Sequence, residues 1–163
     1  MVDRLFDRLT RGIELILAYA FIVAVALNFA NVVGRYLFGK MMLGADEIQI
    51  YIMVCMAFLG AAVISWRKEH LRMDVLFKML PPPARSVVRL IEHALLLVLA
   101  GFVLDQSFAY AWRIYQLGQT SNTAGIPMWI PHSAVWLGYG LIGIFALWEA
   151  IKRLGGRGAG PEA

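Results

Sequence analysis

Four long apolar stretches, about residues 13–33, 48–66, 87–112 and 128–151, fill most of this chain and leave no room for a water-soluble domain. Each is near or above the ~20 residues that a helix needs to cross the hydrocarbon of a bilayer. A bilayer offers no water to backbone amides, so a stretch of this kind crosses it as a helix. The fold expected is all-α and integral to the membrane, one domain over residues 1–163. Its four transmembrane helices fall at about 13–35, 46–66, 86–113 and 128–151, and 155–163 form a flexible tail.

Composition agrees. Of 163 residues, 60% are hydrophobic and 16% charged, with a mean hydropathy of +0.67. A soluble domain averages about 45–50% apolar and ~25% charged. The excess is lipid-facing surface. The net charge of +4 does not point to nucleic acid, because the basic residues flank the apolar segments and form no single patch. Cys55 is the only cysteine, which excludes an intramolecular disulfide and a cysteine-based metal site.

Arg4, Arg8 and Arg11 precede the first stretch, and Ala18-Tyr19-Ala20 has the small-x-small form of a cleavage site. A cleavable signal carries an apolar core of roughly 7–15 residues before that site. Here it is shorter, and the apolar run continues to residue 33, so the segment reads as an uncleaved anchor. Of the fifteen Lys and Arg, twelve fall on one side of a four-span topology, and only Arg35, Lys40 and Arg113 fall on the other. Short basic loops stay in the cytoplasm, which puts both termini and the middle connection inside. Tyr110, Trp112, Tyr115 and Trp129 then mark the outer interface, and Trp66 and Trp148 the inner one.

Residues 3–12 read as an amphipathic lead-in, with Leu5, Phe6, Leu9 and Ile13 on one face, lying on the inner surface before the first span. Met73, Leu76, Phe77 and Leu80 repeat the helical spacing and predict a short interfacial helix in the cytoplasmic loop, ended by Pro81, Pro82 and Pro83. Residues 118–131 are polar, contain Gly and Pro, and predict an outer loop.

Polar residues inside the spans are the candidates for function. Asn28, Asn31 and Arg35 share one face of the first helix and predict a seam against another helix. Asp46 and Glu47 open the second span, where acids suit a helix N-terminus and where one of them could pair with Arg35. Ala57, Gly60 and Ala61 offer a face for close helix approach. Asp105 is an intramembrane acid in the outer half of the third span, a candidate for coupling or for snorkelling to the interface. Arg67, Lys68 and Arg72 could hold anionic lipid headgroups, although positive-inside bias alone accounts for them. His70, His93 and His132 raise the question of haem, which needs two facing histidines at one depth. Motifs of soluble enzymes, such as a Gly-rich phosphate loop or a nucleophile triad, do not occur at convincing spacing.

Several pieces in order resemble the small membrane subunit of tripartite ATP-independent periplasmic (TRAP) transporters, the DctQ-like family. They are Asn31-Val-Val-Gly-Arg35-Tyr36-Leu-Phe38, the acidic pair Asp46-Glu47, Phe58-Leu59-Gly60-Ala61-Ala62, Glu69-His70-Leu71-Arg72-Met73-Asp74, Leu80-Pro81 with Arg85, and Gly125-Ile126-Pro127-Met128-Trp129-Ile130-Pro131. The family's tryptophan before the acids is replaced by Leu43-Gly44, and Asp46 stands where Glu is usual. The resemblance adds His70, Asp74, Pro127 and Pro131 to the interface or structural candidates. It implies a multi-pass protein of the bacterial cytoplasmic membrane, paired one-to-one with a large multi-span subunit that carries the substrate and Na⁺ sites. A periplasmic binding protein would deliver an organic acid, often a carboxylate. The small subunit would act as a scaffold, with no catalytic residue, metal or cofactor of its own. Two other readings compete: a self-sufficient four-helix homodimeric transporter, which needs a deep acid and has Glu14 only near the inner end, and a haem or quinone anchor.

Overall fold

The computed structural model describes residues 2–40, 42–67 and 81–154. It contains four long helices in chain order: α1 (Val2–Phe38), α2 (Ala45–Arg67), α3 (Pro82–Leu117) and α4 (Trp129–Leu154). All four are long and apolar enough to cross a membrane. Among the described residues there is no strand, only an isolated bridge between Thr120 and Pro127. The interfacial helix expected near residues 73–80, together with Lys68, His70, Arg72 and Asp74, lies outside the described residues, as does the tail 155–163.

The ends of the helices follow local chemistry. Pro81, extended at φ −64 and ψ 151, stands at the N-cap of α3, with prolines filling its first turn. Proline lacks the N–H that a first turn leaves unpaired, so it starts a helix without cost. Gly118 adopts φ 60 and closes α3, its N–H donating to Tyr115 O (3.1 Å) while Gln119 N reaches Ile114 O (3.4 Å). Left-handed backbone here favours glycine. Because α3 runs on to Leu117, Asp105 sits twelve residues, roughly 18 Å, from its C-terminal end. That is deeper along the helix than a span ending at 113 places it.

The helices pack in the order α1, α2, α4, α3, so that α2 and α4 form the middle pair and the other two flank them. What is buried between them is small: Ala45, Ala62, Val63, Ala100, Ala111, Ala134 and Ala146, with Ile114, Ile142 and Phe145. The large apolar side chains point outward, among them Ile16, Tyr19, Phe29 and Val98. This inverts the soluble pattern. Lipid solvates large apolar groups as well as protein does, so helix association relies on small residues that let backbones approach.

Of the described glycines, Gly138 of α4 sits at the tightest approach. A Cβ there would lie 2.6 Å from Phe58 O and 2.9 Å from Phe58 C. No side chain fits between these two backbones. Gly60, in the small-residue face of α2, is roomier, its nearest neighbour being Leu17 Cδ1 of α1 at 3.9 Å. Ala57 is exposed, while Ala62 belongs to the core with Ala100 and Ile142.

The N-terminal lead-in is continuous with the first span, as one 37-residue helix roughly 55 Å long. Its apolar face is shared between the bundle and the outside. Leu5 is 63% exposed and Leu9 42%, whereas Thr10 is 1% exposed and Phe6 meets the rings of Trp66, Phe145 and Trp148. The reason is the position of α2 and α4, whose ends meet α1 along Asp3, Phe6, Asp7, Thr10 and Glu14. This segment docks on the bundle by that polar and aromatic face.

Gly138→Ala is expected to lower stability in detergent by about 1–3 kcal/mol, because the backbone of Phe58 cannot yield as a side chain would. Gly101→Ala, where a Cβ meets nothing within 4 Å, is expected to leave the melting temperature unchanged or higher. Thermal unfolding of the two variants side by side checks this.

Candidate functional site: two polar clasps

Polar residues gather at the two ends of the bundle. At the loop end, three elements converge. Asn31, 4% exposed, donates from Nδ2 to Asp46 Oδ1 of α2 (3.3 Å) and accepts at Oδ1 from the backbone N–H of Met42 (3.1 Å). One amide thus holds both the second helix and the turn that leads into it. One turn deeper, Asn28 Nδ2 donates to Gln49 Oε1 (2.9 Å). The seam expected on α1 is therefore made with α2, within this chain.

Glu47 turns the other way. Its carboxylate accepts from Thr123 N (3.2 Å), Thr123 Oγ1 (2.9 Å) and Ala124 N (2.8 Å) in the α3–α4 loop. Beside it, Gly44 at φ 85 lets the α1–α2 turn touch the same loop, where a Cβ would lie 2.9 Å from Ala124 Cα. The loop is shaped to receive this contact. Ser121 N donates to Ile126 O (2.8 Å), Met128 N to Gln119 O (3.0 Å) and Ile126 N to Ser121 Oγ (3.2 Å). Pro127 forms the bridge with Thr120, and its carbonyl accepts from Ile130 N (3.2 Å). Pro131 is buried in the first turn of α4, where a proline costs no hydrogen bond. Arg35, exposed near the end of α1, makes an interaction of its own.

At the other end, the start of α1 joins the ends of α2 and α4. Trp148 Nε1 donates to Asp3 Oδ1 (2.9 Å), and Lys152 Nζ lies 3.1 Å from the same carboxylate. Trp66 Nε1 donates to Asp7 Oδ1 (2.7 Å), and Arg67 pairs with Glu14. The rings of Phe6, Trp66 and Phe145 pack among these, with centroids 5.1 Å apart for Phe6–Trp66 and Phe6–Phe145. Trp66 and Trp148 thus hydrogen-bond the acids of α1. Thr10 hides its hydroxyl by bonding to Phe6 O (2.9 Å) and Asp7 O (3.2 Å).

The other candidates lie apart from both clasps. Asp105 is exposed on α3 and accepts from Gln106 Nε2 (3.2 Å). Glu14, the acid near the inner end of the first span that the homodimeric reading offers, pairs with Arg67. His132 packs edge-on against Tyr110 of α3 (5.0 Å). Tyr110 is seventeen residues, roughly 25 Å, along that helix from His93, so these two histidines cannot share one haem iron. Among the described residues no group of three His, Cys, Asp or Glu could hold a metal ion.

Asn31, Asp46 and Glu47 were recognisable as polar residues in apolar stretches. Thr123 and Ala124 were not, because they act mainly through backbone N–H groups and carry no mark. Gly138 was hidden among the several glycines of its span. Asp3 and Asp7 read as ordinary charges of an amphipathic lead-in, and Glu14 as an acid near the inner end of the first span.

The sequence of this chain is similar to those of known proteins. Residues 24–156 match the family model of the DctQ component of tripartite ATP-independent periplasmic transporters. The chain belongs to this family. It is similar to the ectoine TRAP transporter small permease protein of Halomonas elongata, 26% identical over 156 residues, which span 96% of this chain and 79% of that one. It is also similar to the C4-dicarboxylate TRAP transporter small permease protein of Vibrio cholerae, 31% identical over 115 residues, 71% of this chain and 50% of the other. The chain is therefore the small permease component of a TRAP transporter and a multi-pass inner-membrane protein. Components of this kind are not catalytic, and they work with a large membrane subunit and a substrate-binding protein.

Glu47→Gln is expected to speed amide hydrogen exchange at Thr123 and Ala124 with little change in the helices. Asn31→Ala removes the buried partner of Met42 N and Asp46, and is expected to cost about 1–3 kcal/mol in thermal unfolding.

Proposed function

We propose that this chain is the scaffold of a Na⁺-driven transporter that takes up an organic acid delivered by a periplasmic binding protein. In this reading the chain binds neither the substrate nor Na⁺. It holds the static part of a large membrane subunit, in a one-to-one complex, while the transporting part moves. The observation that carries the proposal is the double clasp. Four packed helices joined at both ends, by Glu47 on Thr123 and Ala124 and by Asp3 on Trp148 and Lys152, are braced against internal rocking. Their outward apolar side chains leave long faces for lipid and for a neighbouring membrane protein. A transporter's own site is built from interrupted helices near the midplane, whereas each span here is one unbroken helix.

The names of the two relatives carry different solutes, ectoine and C4-dicarboxylate. That supports leaving the choice of solute to the partners. Membership of the family supports a coupled pair of membrane subunits. The candidates His70, Asp74, Lys68 and Arg72 would then belong to the cytoplasmic connection.

Native mass spectrometry of the protein, purified in mild detergent from its own membrane, tests the scaffold. A one-to-one complex with a much larger hydrophobic protein is expected, along with the absence of uptake by this chain alone in liposomes. A lone homodimer that moves solute by itself overturns the reading.

Orientation is tested separately. In a Cys55→Ser background, Gln119→Cys is expected to react with a membrane-impermeant maleimide in intact spheroplasts, and Arg8→Cys only after lysis. The reverse pattern puts both termini outside.

A further inference from the structure

Beside the outer clasp, α3 and α4 part to form a groove of about 520 Å³ that neither clasp uses. Gln106, Ser107, Ala109, Tyr110 and Arg113 line it from α3, and His132 and Val135 from α4. The five α3 residues follow the spacing of a single helix face. The volume falls in the ~300–1,000 Å³ range of small-molecule sites. The composition is graded. Arg113 stands nearest the loop, Tyr110 and His132 pack edge-on one turn below, and Ser107 and Gln106 stand a further turn down.

Two of these polar groups are unanswered. Neither Ser107 nor Arg113 has a hydrogen-bond or ion-pair partner among the described residues. Arg113 is also the one Lys or Arg between residues 90 and 151, so its charge is not part of a basic cluster that would explain it. Around it lies a band of aromatic rings. Trp112 packs on Tyr115 with centroids 5.7 Å apart, and Tyr115 meets Trp129 at 5.9 Å. Such belts mark headgroup depth. A guanidinium at that depth faces the phosphates of the surrounding leaflet, and guanidinium–phosphate pairs are among the stronger hydrogen-bonded contacts.

We infer that this groove is a binding site for one glycerophospholipid of the outer leaflet, with its phosphodiester on Arg113 and its glycerol esters beside Ser107 and Gln106. The acyl chains run down from there along α3 and α4. A protein helix suits the groove less well, since polar groups from Arg113 down to Gln106 match a headgroup and its glycerol esters better than an apolar helix face. The inference needs only the placement of α3 and α4 in the membrane and the orientation with both termini inside. It stands whether or not the chain is a scaffold, and whichever solute its partners carry.

The test places a photo-crosslinking amino acid at Ala109 in the full chain, expressed with its partners in its own membrane. After irradiation, the adduct is weighed. A glycerophospholipid adduct is expected. Arg113→Gln should lower it about fivefold, as loss of one Arg at a lipid surface does, and Arg113→Lys should restore it. Lys40→Gln, which removes a cation elsewhere on the same end, should not change it. Ser107→Ala keeps Arg113 and should lower the adduct by a smaller factor, so the test survives if Arg113→Gln fails to accumulate. An equal lipid adduct in Arg113→Gln and Ser107→Ala means passing annular lipid and overturns the site. An adduct with a polypeptide assigns the groove to a partner and overturns it too. The same holds if no lipid adduct forms and the delipidated complex retains inorganic phosphate alone in native mass spectra.

Discussion

Gly138 lets the backbone of α4 rest on the backbone of α2 at Phe58, and the places of the other helices follow from that contact. In hydrocarbon an apolar side chain gains little by leaving lipid for protein, so the familiar driving force of folding is weak between helices. Close backbone approach and polar contacts take its place. The α2–α4 pair supplies the first, with Ala62, Ala100 and Ile142 packed beside it. Once that pair is set, α1 lies along α2 and α3 along α4. The two ends then come within reach of the residues that tie them.

The clasps convert a row of helices into one body. Each uses an acid of the first helical hairpin to hold part of the second: Glu47 takes the α3–α4 loop at one end, and Asp3 takes Trp148 and Lys152 of α4 at the other. Both lie toward helix ends, where charges meet headgroups and water and are cheap to keep. The stretch between them is left to small residues. The large apolar side chains stay on the outside of the four helices.

The polar residues differ in what they reveal. Asn31 and Asp46 were legible because amides and acids in apolar stretches require partners, and helical spacing limits which faces can supply them. Gly60 stood out for its small neighbours, yet the tight crossing is at Gly138, which one pattern cannot single out from Gly140 and Gly143. The lead-in shows the same limit. Its spacing marks Leu5, Phe6, Leu9 and Ile13 as one apolar face, but only the positions of α2 and α4 decide that Phe6 packs on the bundle while Leu5 and Leu9 stay exposed. The face a helix buries depends on where its neighbours stand, and in a membrane an exposed leucine costs nothing.

The sequence by itself determined that this chain forms four membrane-crossing helices, roughly where they begin and end, and which family it resembles. Those conclusions rest on hydrophobic length, prolines, glycines and ordered motifs, all of which act locally along the chain. The tertiary structure alone decided the order α1, α2, α4, α3, the backbone contact at Gly138, and the acceptance of Glu47 by two backbone amides seventy-six and seventy-seven residues away. Backbone amides are the same at every position, so only their arrangement in space marks Thr123 and Ala124 as the partners of an acid.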